Sequence, residues 1–183
     1  MILCLIFDLD GTLFDQKDAD AKAYSKAFAD AGIDFDEDQH KSLHGLRFEE
    51  RIEVMAKDLS DETKTKIQTA KARHYKKYFD LVTPNDGLLE FIKSDEHYKK
   101  ALVTTARRKN ALSLIKHFSI DPKNFDVIIA GEDVKNGKPD PECYTLVLKK
   151  LAVDTNEAVV FEDSYVGIEA ATKAGIKVIQ VRL

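Results

Sequence analysis

The chain opens on an apolar run, Met1 to Phe7, and leaves it through Asp8-Leu9-Asp10-Gly11-Thr12. A short continuous apolar run bounded by a polar turn reads as a strand buried on both faces, the kind found in parallel sheets. Asp8 and Asp10 stand two residues apart, so the strand period points both side chains the same way. Gly11 lets the chain turn sharply behind them. Two carboxylates at the mouth of a sheet repel each other unless a cation or a proton offsets them. The segment therefore demands two things at once: a central buried strand, and at its carboxyl end a site suited to Mg²⁺ and a reacting group.

The rest of the sheet is read from Asn85 onward, where helical and strand patterns alternate. Gly87 to Ser94 has helical spacing, and Ala101 to Thr104 is a short buried strand. Ala111, Leu114, Ile115 and Phe118 mark a helix, and Phe125 to Ala130 a third strand. Tyr144, Val147, Leu148 and Leu151 mark another helix, with Asp140 expected as its N-cap and Pro141 in its first turn. Ala158 to Phe161 is a fourth strand. Gly167, Ala170, Ala171 and Ala174 form the small face of a helix that Gly175 ends. Lys177 to Val181 is a fifth strand. Such alternation implies a parallel sheet covered by helices on both faces, an α/β fold.

Residues 15–84 differ. No convincing strand is found there. Tyr24, Ala27, Phe28 and Ala31 make a helical stripe stopped at Gly32, and Asp36 with Gln39 resembles a capping box. Phe48, Ile52, Met55, Ala56 and Leu59 make a third helix. Ser60 caps a fourth, expected to run to about Phe79. The expected division is a core of residues 1–14 and 85–183 and a helical insert of residues 15–84. The insert would sit over the carboxyl ends of the strands, where open α/β sheets bind ligands. Its tethers, 15–17 and 80–86, are candidate hinges.

Composition narrows the function classes. The 183 residues are 44% hydrophobic, enough for one good core with a modest insert. A formal charge of −4 argues against nucleic acid as a partner. Cys4 and Cys143, the only two cysteines, fall on a strand and a helix and read as small buried hydrophobes of a reducing compartment. No apolar run approaches the roughly 20 residues needed to span a bilayer. The opening run lacks a basic leader and meets Asp8 too early for a signal peptide. A cytoplasmic protein with no membrane partner is expected. No tail follows the fifth strand to suggest a partner chain, and a monomer is the expectation.

These strand assignments bring four groups to one edge of the sheet: Asp8 and Asp10, Thr104, Lys138, and Glu162 with Asp163. Each alone is ambiguous. Threonine is a common strand residue, most lysines are merely solvated, and an aspartate between strand and helix is usually an N-cap. Gly137, Pro139 and Pro141 stiffen the loop around Lys138, and a stiff loop can aim a side chain. Taken together the four suit metal-assisted phosphoryl transfer. One carboxylate can attack phosphorus, and a second can move the proton to and from the departing oxygen. A hydroxyl, backbone N–H groups and a lysine can hold the remaining phosphate oxygens.

The segments Asp8-Leu-Asp-Gly-Thr-Leu-Phe-Asp15, Leu102-Val-Thr-Thr105, Gly137-Lys-Pro-Asp-Pro141 and Phe161-Glu-Asp-Ser-Tyr-Val-Gly167 resemble, in content and order, those of the haloacid dehalogenase superfamily. The helical insert is similar to the smaller cap of its phosphatase and β-phosphoglucomutase branch. The resemblance implies a Rossmann-like parallel sheet of order 5-4-1-2-3 with a cap inserted after strand 1. It implies Asp8 as nucleophile, Asp10 as general acid/base, and Lys138 as the residue that orients Asp8. Thr104, with the backbone N–H of Thr105 or Ala106, would bind the transferring phosphoryl group. Mg²⁺ would be held by Asp8, the backbone carbonyl of Asp10, and Asp163, with Glu162 direct or through water.

The aspartate at position 10 favours a phosphate ester, because an alkoxide leaving group needs a proton. The implied enzyme is an Mg²⁺-dependent phosphatase acting on a small phosphorylated metabolite. A phosphosugar mutase is the rival. The mutases of the family carry a histidine shortly after the first motif, and the stretch Asp18 to Lys22 has none. His44-Gly45-Leu46-Arg47 falls one residue short of the mutase Gly-x-x-Arg spacing. Arg47, with one or two lysines of the basic fourth helix of the insert, is a candidate contact for an anionic substrate. Arg107 and Arg108 could neutralise phosphate or simply be exposed. His40, His44 and His74 are not spaced as a metal site and receive no role.

Overall fold

The computed structural model describes residues 1–183. Strand β1, Cys4–Asp8, is buried along its whole length and pairs in parallel on both sides. One neighbour is β4, Lys99–Val103, which continues to β5, Val127–Ile129. The other is β6, Ala158–Glu162, which continues to β7, Lys177–Gln180. The order across this five-stranded parallel sheet is β5-β4-β1-β6-β7. Counted among these five alone, it is 3-2-1-4-5, which read from the opposite edge is 5-4-1-2-3.

The period of β1 builds two cores. Leu5 and Phe7 face one side, with Leu102, the α5 residues Leu89 and Ile92 and the α6 residues Ala111, Leu114 and Ile115. Helices α5 and α6 span Asp86–Ser94 and Arg108–His117. Cys4 and Ile6 face the other side. They pack with Ala101, Val103, residues Cys143, Tyr144 and Val147 of α7 (Glu142–Leu151), and Ala170 and Ala171 of α8 (Tyr165–Lys173). Each fully buried Leu, Ile or Phe contributes about 1.5–3 kcal/mol relative to exposure, so β1 anchors both layers. Cys4 and Cys143 are free and buried, and burial pushes both thiols up to about 11.

Between β1 and β4 the chain forms α1 (Lys17–Asp30), α2 (Glu37–Ser42), α3 (Phe48–Met55) and α4 (Asp61–Tyr75). Asp36 accepts from the Gln39 N–H at 2.9 Å and so caps α2. Tyr24, Phe28, Ile52 and Ile67 lie in a separate small core of this insert. Its root is not separate, because Ala19, Ala23, Tyr75 and Phe79 pack into the sheet-side core.

Three sequence expectations change. The two-residue strands β2 (Phe14–Asp15) and β3 (Thr83–Pro84) pair antiparallel at the neck of the insert. Such short strands leave no periodicity to detect. Helix α4 stops at Tyr75, not Phe79, and residues 76–81 tighten into a 3-10 turn that deviates at Tyr78. Pro141, not Asp140, takes the capping position of α7, though the Asp140 carboxylate accepts from the Glu142 N–H at 2.9 Å. No helix is long and apolar enough to cross a membrane.

Candidate active site

All four groups expected at one edge do meet there, at the carboxyl end of β1. Asp8 ends that strand and is almost fully buried. Lys138 reaches it from the loop before α7, donating to Asp8 Oδ1 at 2.6 Å and to Glu162 Oε2 at 2.6 Å. The Lys138 ammonium is itself buried. Burial works against its charge, yet Asp8 and Glu162 beside it hold its pKa well above the ordinary lysine range. Burial and the negative Glu162 push Asp8 upward, against the attraction of Lys138.

Glu162 is more completely enclosed than its place at a strand end suggests. Its Oε2 accepts from Tyr144 at 2.7 Å as well as from Lys138. Its Oε1 accepts from the Ser164 hydroxyl at 2.8 Å and the Ser164 N–H at 3.0 Å. Burial alone would raise its pKa; Lys138 and these donors lower it. Gly167 makes this possible, since a Cβ there would collide with the Glu162 carboxylate.

Asp10 turns away from that pair. Its Oδ2 accepts from the Thr104 hydroxyl at 2.7 Å, and Thr104 in turn accepts from the Ala106 N–H at 3.0 Å. Burial raises the Asp10 pKa, and the Thr104 hydrogen bond opposes the shift. Thr105 and Ala106 line the chamber that opens beside Asp10.

Asp163 comes close to Gly11, whose φ of 96° lies in the left-handed region and whose missing Cβ leaves room for the carboxylate. Thr12 donates to Asp163 Oδ1 at 3.1 Å, and His44 Nε2 lies 3.0 Å from Oδ2. One oxygen each from Asp8, Glu162 and Asp163 lies within 4.8 Å of the others, a grouping able to hold a metal ion. The Asp10 carboxylate lies outside that grouping.

A chamber of about 440 Å³ separates the insert from the sheet edge. Its walls include Asp10, Thr105, Ala106 and Arg107 from below and Asp20, His44, Arg51 and Lys71 from above. Arg47 is not in these walls. It donates to the backbone oxygens of Val134 at 3.4 Å and Lys135 at 3.3 Å, fastening the insert to the core. Arg107 pairs with Glu49 at 3.0 Å across the same gap, while Arg108 bonds Ile128 and Asp133 on the core. Sequence reasoning missed His44, which lies 119 residues from Asp163 along the chain. It also missed Asp20. The one local hint was Gly45, whose φ of 87° turns the chain right after His44.

A buried Asp–Lys–Glu relay beside a second aspartate, at the mouth of a parallel sheet under a helical insert, defines a class of hydrolase site. Comparisons with known proteins agree. The family model for haloacid dehalogenase-like hydrolases matches residues 5–181, and the chain belongs to that family. It is 38% identical over 180 residues to a phosphorylated carbohydrates phosphatase of Thermotoga maritima, covering 94% of this chain and 82% of the relative. It is 30% identical to a fructose-1-phosphate phosphatase of Escherichia coli, covering 98% of this chain and 96% of the relative. Among solved structures, a β-phosphoglucomutase from Clostridium difficile superposes with a TM-score of 0.83 at 30% identity, covering 100% of this chain and 86% of that one.

Proposed function

We propose that the protein is an Mg²⁺-dependent phosphatase that hydrolyses a small phosphorylated metabolite, a sugar phosphate being the favoured class, through an aspartyl-phosphate. The observation that carries this reading is the different setting of the two aspartates, Asp8 against Lys138 and Asp10 against Thr104. Asp8 is held by Lys138 through Oδ1, so Oδ2 is available as a nucleophile. Burial raises Asp10 despite the opposing Thr104 hydrogen bond, which supports Asp10 as the group that carries the proton. The phosphatase names of the two sequence relatives support the same class.

In the first step Asp8 Oδ2 attacks phosphorus, the P–O bond to the substrate carbon chain breaks, and Asp10 gives its proton to the departing oxygen. In the second step Asp10 takes a proton from water, the water oxygen attacks phosphorus, and the acyl phosphate bond breaks to restore Asp8. Thr104 and the backbone N–H groups of Thr105 and Ala106 would bind the phosphoryl oxygens. Lys138 keeps Asp8 aimed and offsets the negative charge.

The oxygen-only donor set at Asp8 and Asp163 fits Mg²⁺, which prefers carboxylates, backbone carbonyls and water. Glu162 already accepts from Lys138, Tyr144 and Ser164 with both its oxygens, so its role is to hold Lys138 and, at most, to touch the metal through water. The bound ion would neutralise charge on the transferring phosphoryl group. The insert acts as a cap that excludes water on closing and releases product on opening.

The test is phosphate release from a panel of phosphorylated metabolites and from p-nitrophenyl phosphate. Activity should need Mg²⁺, vanish in excess EDTA, and fall by roughly 10³-fold or more in Asp8→Asn. Undiminished turnover by that variant overturns the assignment of Asp8. Isomerised sugar phosphate in place of inorganic phosphate would show a mutase instead.

A further inference from the structure

The roof of the chamber holds a group that a site for two phosphates would not want. Asp20, on the face of α1 that looks into the chamber, carries a carboxylate that is only 18% exposed. Lys71 of α4 meets its Oδ1 at 2.6 Å. Arg51 of α3 donates to its Oδ2 at 2.8 Å, and His40 Nε2 lies 3.2 Å from the same oxygen. Three helices of the insert thus converge on one negative charge. The Lys71 ammonium also sits over the rings of Tyr24 and Tyr75, at 5.0 and 4.7 Å from their centroids.

Two observations show what this does to the chamber. Its walls carry five Lys and Arg side chains, and each is already paired with a carboxylate: Lys71 and Arg51 with Asp20, Lys41 with Glu37, Arg107 with Glu49 and Lys17 with Asp15. The Tyr75 hydroxyl, on the same wall, is buried and has no hydrogen-bond partner. A buried phenol without a partner is costly, and a hydroxyl is the kind of group that would complete it.

We propose that Asp20 is a specificity-determining residue: it makes the cap end of the chamber a site for the uncharged, hydroxyl-bearing end of a phosphomonoester and bars a second phosphate group. This rests on the phosphatase reading and narrows its substrate class. A hydroxyl can accept from Lys71 and donate to Asp20 without disturbing their pairing. A phosphate dianion in the same place must take Lys71 and Arg51 from the Asp20 carboxylate, which already holds both, and would leave that carboxylate beside it without a cation. A mutase cycle through a bisphosphate would meet that barrier at every turnover.

The experiment compares phosphate release from a hexose 6-phosphate and from the corresponding hexose 1,6-bisphosphate, as the ratio of kcat/KM values. The wild type should favour the monophosphate by about tenfold or more. Asp20→Asn should raise the bisphosphate-to-monophosphate ratio about tenfold, chiefly through KM, and Lys71→Gln should move it the other way. A merely structural role would weaken both substrates alike and leave the ratio in place. If Asp20→Asn fails to fold, Lys71→Gln, which keeps Asp20 paired with Arg51, still decides the matter. A ratio within twofold of wild type in the folded variants, or a wild type that prefers the bisphosphate, overturns the inference while leaving the phosphatase reading intact. No phosphate release from any ester by the wild type would overturn both.

Discussion

Glu162 accepts from Lys138 at 2.6 Å while its other oxygen is held by Ser164, so the ammonium that touches Asp8 is fixed from behind by a fully buried carboxylate. Removing one member of a buried charge pair leaves the other without compensation, at a cost of about 3–5 kcal/mol. Lys138→Met, which strips both buried carboxylates of their cation, should lower the unfolding free energy from a urea titration by an amount in that range, and Glu162→Gln, which leaves Lys138 paired with Asp8, by less. A Glu162→Gln variant as stable as the wild type would show that the pair does not hold Lys138.

Asp10 is expected to matter in proportion to how badly the leaving group needs a proton. Asp10→Asn should slow an alkyl phosphate by roughly 10²–10⁴-fold in the first step. p-Nitrophenyl phosphate, which departs as a stable phenolate, should lose far less in a single-turnover measurement of that step. Equal losses on the two substrates would remove Asp10 as general acid.

Asp20 gives the fold a pH signature separate from its role in selectivity. Burial alone would raise its pKa, but Lys71, His40 and Arg51 hold it well below the ordinary carboxylate range. A carboxylate lowered on folding contributes stability that is present above its unfolded value of about 3.9 and disappears as pH falls through the folded value. The Tm difference between wild type and Asp20→Asn should therefore be constant from about pH 5 to 7 and shrink below about pH 4. A difference that stays constant into strong acid would contradict the pairing.

Gly11→Ala tests the approach of Asp163. The new methyl would occupy the space of the Asp163 carboxylate, and φ of 96° strains any residue with a side chain. Backbone strain of this kind costs about 1–3 kcal/mol. The variant should need at least about tenfold more Mg²⁺ for half-maximal activity, the range seen when partners that orient metal ligands are disturbed. An unchanged Mg²⁺ titration would take Asp163 out of the metal site.

The parts of the site carried by one strand and the turn after it were legible from residues alone. Asp8 with Asp10, and Glu162 with Asp163, sit where a strand ends, but β1 stops at Asp8, so the strand period does not fix Asp10, which bonds Thr104 while Asp8 bonds Lys138. Lys138 was placed through its stiff loop and the resemblance of its neighbours. The helices of the insert were legible from their stripes, but not how they pack. The pairing of Asp20 with Lys71 and Arg51 depends on three helices meeting, which no local pattern encodes. Arg47 is a candidate substrate contact in the sequence, but its bonds to the backbone oxygens of Val134 and Lys135 depend on how the insert meets the core, which no local pattern encodes. The spacing of His44 to the other histidines gives it no role, and its partner is a carboxylate 119 residues further along the chain.

The neck formed by β2 and β3 has a further consequence. Phe14 lies opposite Pro84 and Asp15 opposite Thr83, so the chain enters and leaves the insert through adjacent positions, about 5 Å apart. A splice at that ribbon could exchange the helices for a roof of another shape without shifting the register of the five-stranded sheet. What a replacement must reproduce is the apolar footing that Ala19, Ala23, Tyr75 and Phe79 now supply. A graft at that seam should alter which esters are cleaved while keeping the dependence on Asp8, as long as it also supplies the contact that His44 makes with Asp163.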